Sequence, residues 1–428
     1  GNRIGNLRHS ANQAKTRPMR IIGLLCAALL ALSACVSTTR EPASDQTVQQ
    51  PPRQVIDPSA WTLTPDPVAF ESLPGWQSAD LAPGLAALRR SCEVYERREP
   101  GSYLSRRAAW AGTADEWVPA CAALDVIGDP QSARAVLQAL FTPVEIVSET
   151  GASRFTGYFE PTYSARLTPE PPYTEPIPAR PADLQSEGGE VYQVLANGQR
   201  RPYPERAEIT RRGVTPLAYA HPADVFFLQI QGSGRLVLPD GRTLRAVYAA
   251  HNGQPFRSTA NWLMQRGWIT RGEASMTGIR AWMDRAAPAR VREAMNANPR
   301  FVFFNLEAEG DPTLGPKGSF GVPLTPLGSM AVDTNIHPGG VPMFVQTTAP
   351  GLGGDWSGLL VSQDTGGAIK GPVRGDLYFG TGPEAGAAAD TVNAPGRLWV
   401  LLPRAVAERI RMNNAARAST TGPILVSP

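Results

Sequence analysis

Histidine and cysteine are scarce in this sequence, four of each in 428 residues. His9, His221, His251 and His337 stand far apart, and none lies at metal-ligand spacing from another or from a cysteine. No metal and no other cofactor is expected. Charge of one sign is lacking too. Lys and Arg number 41 against 38 Asp and Glu, a net +3, and no basic run is interleaved with aromatics, so a nucleic-acid partner is not expected. No repeat of solenoid type is present. The apolar run Ile21–Leu32 falls short of the about 20 residues that cross a bilayer. What abounds is glycine and proline, 41 each, which favours many short strands and turns over long helices. The length and a 42% hydrophobic content allow a large core and suggest two domains.

The apolar run has the form of an export signal. Arg17 and Arg20 precede it, and Ser33-Ala34-Cys35 supplies small residues and then a cysteine. "LSAC" resembles a bacterial lipobox, which implies lipidation at Cys35; an ordinary signal peptide with a chance cysteine is the alternative. Val36, where an Asp would signal inner-membrane retention, implies an outer-membrane lipoprotein facing the periplasm of a Gram-negative bacterium. Residues 1–34 are expected to be leader and signal peptide, and 35–62, rich in Ser, Thr, Gln and Pro, a flexible tether. Cys26 leaves with the signal. Cys92 and Cys121 remain, and an oxidising periplasm permits either a disulfide or two buried thiols.

Apolar spacing of three and four predicts helices over 85–98, 106–127 and 130–141, the last opened by Asp129-Pro130. Strand patterns begin at 153–167, and a proline-rich loop covers 168–181. Residues 224–250 read as a hairpin turning at Asp240-Gly241. Helices are expected again at 256–267 and 275–298, then a buried strand at 300–308. A glycine-rich loop and five strand segments, from "GSMAVDT" to "GRLWVLLP", complete the chain.

Three carboxylates border apolar strand segments in this last region: Asp333 after "SMAV", Asp364 after "LLVSQ" and Asp376 before "LYF". At partly buried strand ends, desolvation raises a carboxyl pKa toward the working range of an acid catalyst. Each could instead be a turn or cap residue. Asp364-Thr365-Gly366 is the tripeptide of aspartic proteases, but it occurs once, and that chemistry needs two carboxylates sharing a proton.

A longer match decides the reading. "GYFEP" (157–161), "FFLQIQGSGRL" (226–236), "YAAHNGQPFRS" (248–258), "FVFFN" (301–305), "GVPLTPLGSMAVD" (321–333) and "DTGGAIKGPVRGDLYFGTGPEAG" (364–386) occur in that order. Together they resemble the membrane-bound lytic murein transglycosylase A family, whose C-terminal module is a three-aspartate domain. The resemblance implies a mainly β fold with helices, of the α+β class. A double-psi β-barrel catalytic domain would take 63–160 and 315–428, and an inserted second β-rich domain 161–314, with a groove for glycan strands between them. It implies non-hydrolytic cleavage of the β-1,4 bond between N-acetylmuramic acid and N-acetylglucosamine, with Asp376 as acid and base and Asp364 and Asp333 orienting or tuning it. Tyr158, Gln231, Gly232, Ser233, Gly366, Gly367 and Lys370 are candidate substrate-binding residues. Gly366 and Gly367 either bring backbone close to the glycan or adopt positive φ. Peptidoglycan and an outer-membrane lipid anchor are the expected partners, with cell-wall synthesis complexes a further expectation. Two other functions fit the same residues: a hydrolytic glycosidase pairing Asp376 with Glu160, and a non-catalytic peptidoglycan-binding lipoprotein.

Overall fold

Strands buried on both faces read as unbroken apolar runs. The strand Gly396–Pro403 is such a case, with Leu398 to Leu402 each at most 1% exposed. The computed structural model describes residues 61–63, 67–125 and 129–420. The expected signal, Cys35 and most of the tether lie outside these residues. Gly396–Pro403 sits inside a nine-stranded mixed sheet. In spatial order the sheet runs Trp61–Leu63, Phe141–Ser148, Gly396–Pro403, Pro342–Ala349, Gly354–Asp364, Ser329–Ala331, Arg374–Thr381, Arg154–Glu160 and Asn393–Ala394. No pairing among the described residues closes this sheet into a barrel.

The middle of the chain builds a second, six-stranded sheet: Val302–Ala308, Thr243–His251, Ser233–Val237, Thr162–Arg166, Pro216–Ala220 and Glu175–Pro178. A small three-stranded sheet, Leu184–Glu187, Glu190–Val194 and Arg200–Pro202, lies within the same stretch of chain. The fold is therefore mixed α+β with sheets dominant, and the first sheet draws its strands from both sides of the segment that forms the second.

Helices cover the sheets. The helix Ala82–Glu96 lies so close to the nine-stranded sheet that a Cβ at Gly84 would collide with the carbonyl oxygen of Leu359. Its buried side chains, including Leu85, Leu88 and Tyr95, join one core with Phe344, Leu360 and Trp399. Cys92 is bonded to Cys121 in the helix Ala114–Asp125, so of the two readings open in the sequence the disulfide is the one formed.

Several expected elements differ. Residues 224–231 belong to a helix, Pro222–Gln231, and not to a hairpin strand. Residues 224–229 are all buried and show no period, so periodicity was silent. The deciding signals are Pro222 at the first helical turn and Gly232, left-handed at φ 88°, at the end. The hairpin itself joins Ser233–Val237 to Thr243–His251, and Leu238 N donates to Arg242 O (2.9 Å) around Pro239, Asp240 and Gly241. The helix expected over 106–127 is divided by Gly112 (φ 82°), and that over 275–298 by Pro288. The proline-rich stretch 168–181 contains a strand, Glu175–Pro178.

The Cys92–Cys121 bond closes a loop across 29 positions. Replacing both cysteines with serine is expected to lower unfolding free energy by about 3 kcal/mol through the freed unfolded chain. Denaturant titration checks it, and an unchanged midpoint would show that the bond contributes nothing to folding.

Candidate active site

The sheet register brings the three aspartates to one place. Ala331, the last residue of Ser329–Ala331, pairs with Asp364 on one flank and Asp376 on the other. Asp333 follows two residues later. Side chains alternate along a strand, so Arg374, Asp376 and Tyr378 share a face, while Gly375 and Leu377 turn inward. A Cβ on Gly375 would strike the Met330 sulfur. The neighbouring strand Arg154–Glu160 is parallel and sets Thr156 beside Asp376 and Tyr158 beside Tyr378.

Asp376 is half-buried and accepts a hydrogen bond from the Thr156 hydroxyl (2.6 Å); Arg374 donates in turn to that hydroxyl (2.9 Å). Desolvation raises the Asp376 pKa from its ordinary value, the Asp364 charge adds to it, and the Thr156 bond and the Arg374 and Arg154 charges oppose it. Asp364 accepts from the Tyr158 hydroxyl (2.9 Å) and the Ser319 amide (3.0 Å), and its pKa is also raised, chiefly by desolvation. Burial and the two aspartates push the Tyr158 phenol well above its usual pKa, so it stays protonated as the donor.

Asp333 has a different surrounding. It is fully buried and accepts from the Gly371 amide (3.1 Å) and from the amide and side chain of Asn335 (3.1 Å each), with Lys370 Nζ 3.7 Å away. These contacts fix both the turn after Ala331 and the loop between Asp364 and Arg374.

A groove of about 990 Å³ runs past the cluster, lined by Asp364, Tyr158 and Tyr378 from the first sheet and by Gln231, Gly232 and Ser233 from the hairpin side. Thr365, Gly366 and Gly367 line it too. Neither Gly366 nor Gly367 adopts a positive φ, so the conformational alternative for that pair is not the one used; Gly371, at φ 120°, is the left-handed residue of the loop. Lys370 and Asp376 do not line the groove surface. Asp376 neighbours it through Asp364 and Tyr158, whereas Lys370 leans on Asp333. Among the described residues, no group of three His, Cys, Asp or Glu could hold a metal ion.

Residues 154–305 match the MltA specific insert domain and residues 328–402 the 3D domain. The chain is 35% identical over 256 residues to the membrane-bound lytic murein transglycosylase A of Vibrio cholerae, covering 58% of this chain and 64% of that protein. Among solved structures it resembles the lytic transglycosylase LtgG of Burkholderia pseudomallei, at 37% identity, 80% and 95% coverage and a TM-score of 0.55. It also resembles Escherichia coli MltA with bound chitohexaose, at 27% identity, 80% and 94% coverage and a TM-score of 0.55. The chain belongs to the MltA family. It spans just under two thirds of the length of the curated Vibrio relative that it matches.

Within this MltA-family site, sequence reasoning missed Thr156, Arg374 and Ser319. The signal for the first was available: "TGYFE" places Thr156, Tyr158 and Glu160 on one face by alternation. Glu160, suspected of serving as a second acid, is buried and held by Arg245 at both oxygens (2.6 and 3.1 Å) and by the Thr381 hydroxyl (2.8 Å). Arg245 lies on the six-stranded sheet and also donates to Leu314 O (3.0 Å). The pair ties the end of Arg154–Glu160 to the second sheet and engages both oxygens of Glu160, which also lines the groove. Breaking a buried pair strands a charge. Arg245→Met is therefore expected to cost about 3 kcal/mol of stability, measured by denaturant unfolding; a loss below about 0.5 kcal/mol would mean that the pair is solvated in solution.

Proposed function

We propose that the chain is a peptidoglycan lytic transglycosylase that uses Asp376 as its single acid and base. The carrying observation is a half-buried carboxyl whose pKa is raised by desolvation, beside a groove large enough for a glycan and in a family whose relatives carry this activity in their names. Protonated Asp376 gives its proton to the glycosidic oxygen between N-acetylmuramic acid and N-acetylglucosamine as that bond breaks. The resulting carboxylate then accepts the proton of the muramyl C6 hydroxyl, whose oxygen bonds to C1 and closes a 1,6-anhydro ring. The substrate supplies its own nucleophile, so one protein carboxyl suffices where ordinary glycoside hydrolysis uses two.

Asp364 adds negative charge that helps keep Asp376 protonated, and Tyr158 fixes Asp364. Asp333 shapes the loop that carries Gly366 and Gly367. Gln231, Ser233 and Tyr158 offer amide, hydroxyl and aromatic groups to sugar hydroxyls and faces, and the bound chitohexaose of the E. coli relative supports a glycan occupant. The locking of Glu160 weighs against the hydrolytic alternative, because that mechanism needs a free second base.

In this reading the first sheet, from 63–160 and 315–428, is the family's double-psi barrel, and 161–314 is the insertion. Parallel pairs between strands joined by long connections support it: Ser329–Ala331 beside Gly354–Asp364, and Arg154–Glu160 beside Arg374–Thr381. The location is the periplasmic face of the outer membrane, through a lipid on Cys35, and wall-synthesis complexes are the natural company there. Among the described residues no helix is long and apolar enough to cross a membrane.

Asp376→Asn is expected to abolish release of soluble fragments from purified sacculi while sacculus binding is kept. Wild-type fragments, by mass spectrometry, should be lighter than hydrolytic muropeptides by one water. Fragments of hydrolytic mass, or an Asn variant with full lysis, would end this reading. Thr156→Val removes a bond that lowers the Asp376 pKa. Activity needs the protonated acid and so falls as pH rises through its pKa; the variant should move that falling limb to higher pH. A limb that stays put or moves down would show that another group controls the rate.

A further inference from the structure

The groove does not end at the sugar-binding candidates. At Tyr248 and His251 it meets a second cavity of about 390 Å³, which is also lined by Arg180, Glu187, Gly188 and Val191. Two guanidinium groups flank this junction. Arg180, exposed, donates to Leu184 O (3.1 Å), and Arg300, on the groove side, donates weakly to Gln254 O (3.4 Å). Neither makes an ion pair with any described residue. Both act on the same spot, since each lowers the pKa of the Tyr248 phenol against the effect of its burial.

The two residues shared by both cavities, Tyr248 and His251, can donate as well. His251 Nδ1 accepts from the Gly253 amide (2.9 Å), which places the proton of a neutral ring on Nε2. Burial and Arg300 lower the His251 pKa, so the neutral ring prevails at pH 7. Tyr248, half-exposed, presents its ring next to His251, with centroids 6.3 Å apart. Two acids also line these cavities, Glu187 and the exposed Glu307. Glu187 is paired with Arg200 (2.9 Å), and Glu307 lies three residues farther along the ladder, opposite Arg245. The result is a recess of donors and unpaired positive charge with an aromatic wall, chemistry that matches a carboxylate on a flexible chain.

Resting on the glycan reading of the main groove, we propose that Arg180, Arg300, Tyr248 and His251 bind carboxylates of the peptide stem carried by the muramyl residue. A stem leaves the glycan at the lactyl group of muramic acid, so a strand seated in the groove directs its peptide into an adjoining recess. The site makes the enzyme prefer peptide-bearing strands to bare glycan.

The test compares kcat/KM of the full chain on peptide-bearing strands and on the same strands stripped by an amidase. Wild type should favour the former, and Arg180→Met with Arg300→Met should lose about tenfold on them while staying within about twofold on stripped strands. Equal wild-type rates on both substrates, or an equal loss on both in the double variant, overturns the proposal. If wild type leaves no anhydro ends on either substrate, the parent reading fails. Calorimetry with a free stem peptide then decides the site by itself. Binding by wild type that is lost in the double variant, and lost again when the peptide carboxylates are amidated, upholds the site; no binding, or binding indifferent to either change, refutes it.

Discussion

In the proposed reaction Asp376 must be protonated to act and yet lie close enough to the groove to reach a substrate, and its surroundings answer to that double demand. Desolvation alone would require deep burial, and deep burial would bar the glycan. The site reaches a compromise by placing Asp376 half-buried with a second carboxyl, Asp364, close enough to resist its ionisation. Thr156 and Arg374 limit the rise, and the acid can therefore still give its proton away and regain one. Such balance needs fixed positions, and a sheet supplies them. Because Ala331 pairs with both Asp364 and Asp376, a one-residue slip in either ladder would send an aspartate to the opposite face.

The groove depends on a second fixed point. Its two walls come from sheets whose strands do not pair with each other, and the Glu160–Arg245 pair spans them, with Leu314 O as a third contact. Such a pair is costly to desolvate, and its use where a well-packed apolar contact would serve stability as well points to orientation. A bidentate fork tolerates little rotation, so it holds the hairpin side, with Gln231 to Ser233, at a set angle to the aspartates. The same strand, Thr243–His251, carries Tyr248 and His251 to the far end of the groove. One strand thereby links the acid cluster to the donor recess.

Much of this was legible in the sequence, for reasons that differ by element. The three aspartates could be picked out because each borders an apolar strand segment, and a strand end is a recognisable place. The register that joins them was not legible, since pairing of Ser329–Ala331 with partners on both sides is a long-range matter. Residues 224–231 misled because 224–229 are all buried and show no period, and only Pro222 and Gly232 mark the run as helical. Glu160 looked like a free acid because its partner, Arg245, is 85 positions away. Thr156 was hidden in plain alternation, two residues before Tyr158. The arginines of the donor recess carry no motif; their meaning comes from their place at the junction of two cavities.

The two raised aspartates also place a demand on the rest of the fold. A carboxyl whose pKa is higher folded than unfolded binds its proton more tightly in the native state. Its contribution to stability is therefore fully present below the ordinary carboxylate value and is lost as pH rises through the folded value. Above their folded values Asp364 and Asp376 no longer supply that stability. Leu359, Leu360, Val361, Leu377 and Phe155, all at most 1% exposed, pack the inner faces of the strands that carry the two acids. Asp333, the one aspartate given amide donors at both oxygens, is the one placed to secure the loop. The two raised acids thus sit on strands that also carry some of the most deeply buried residues of the core.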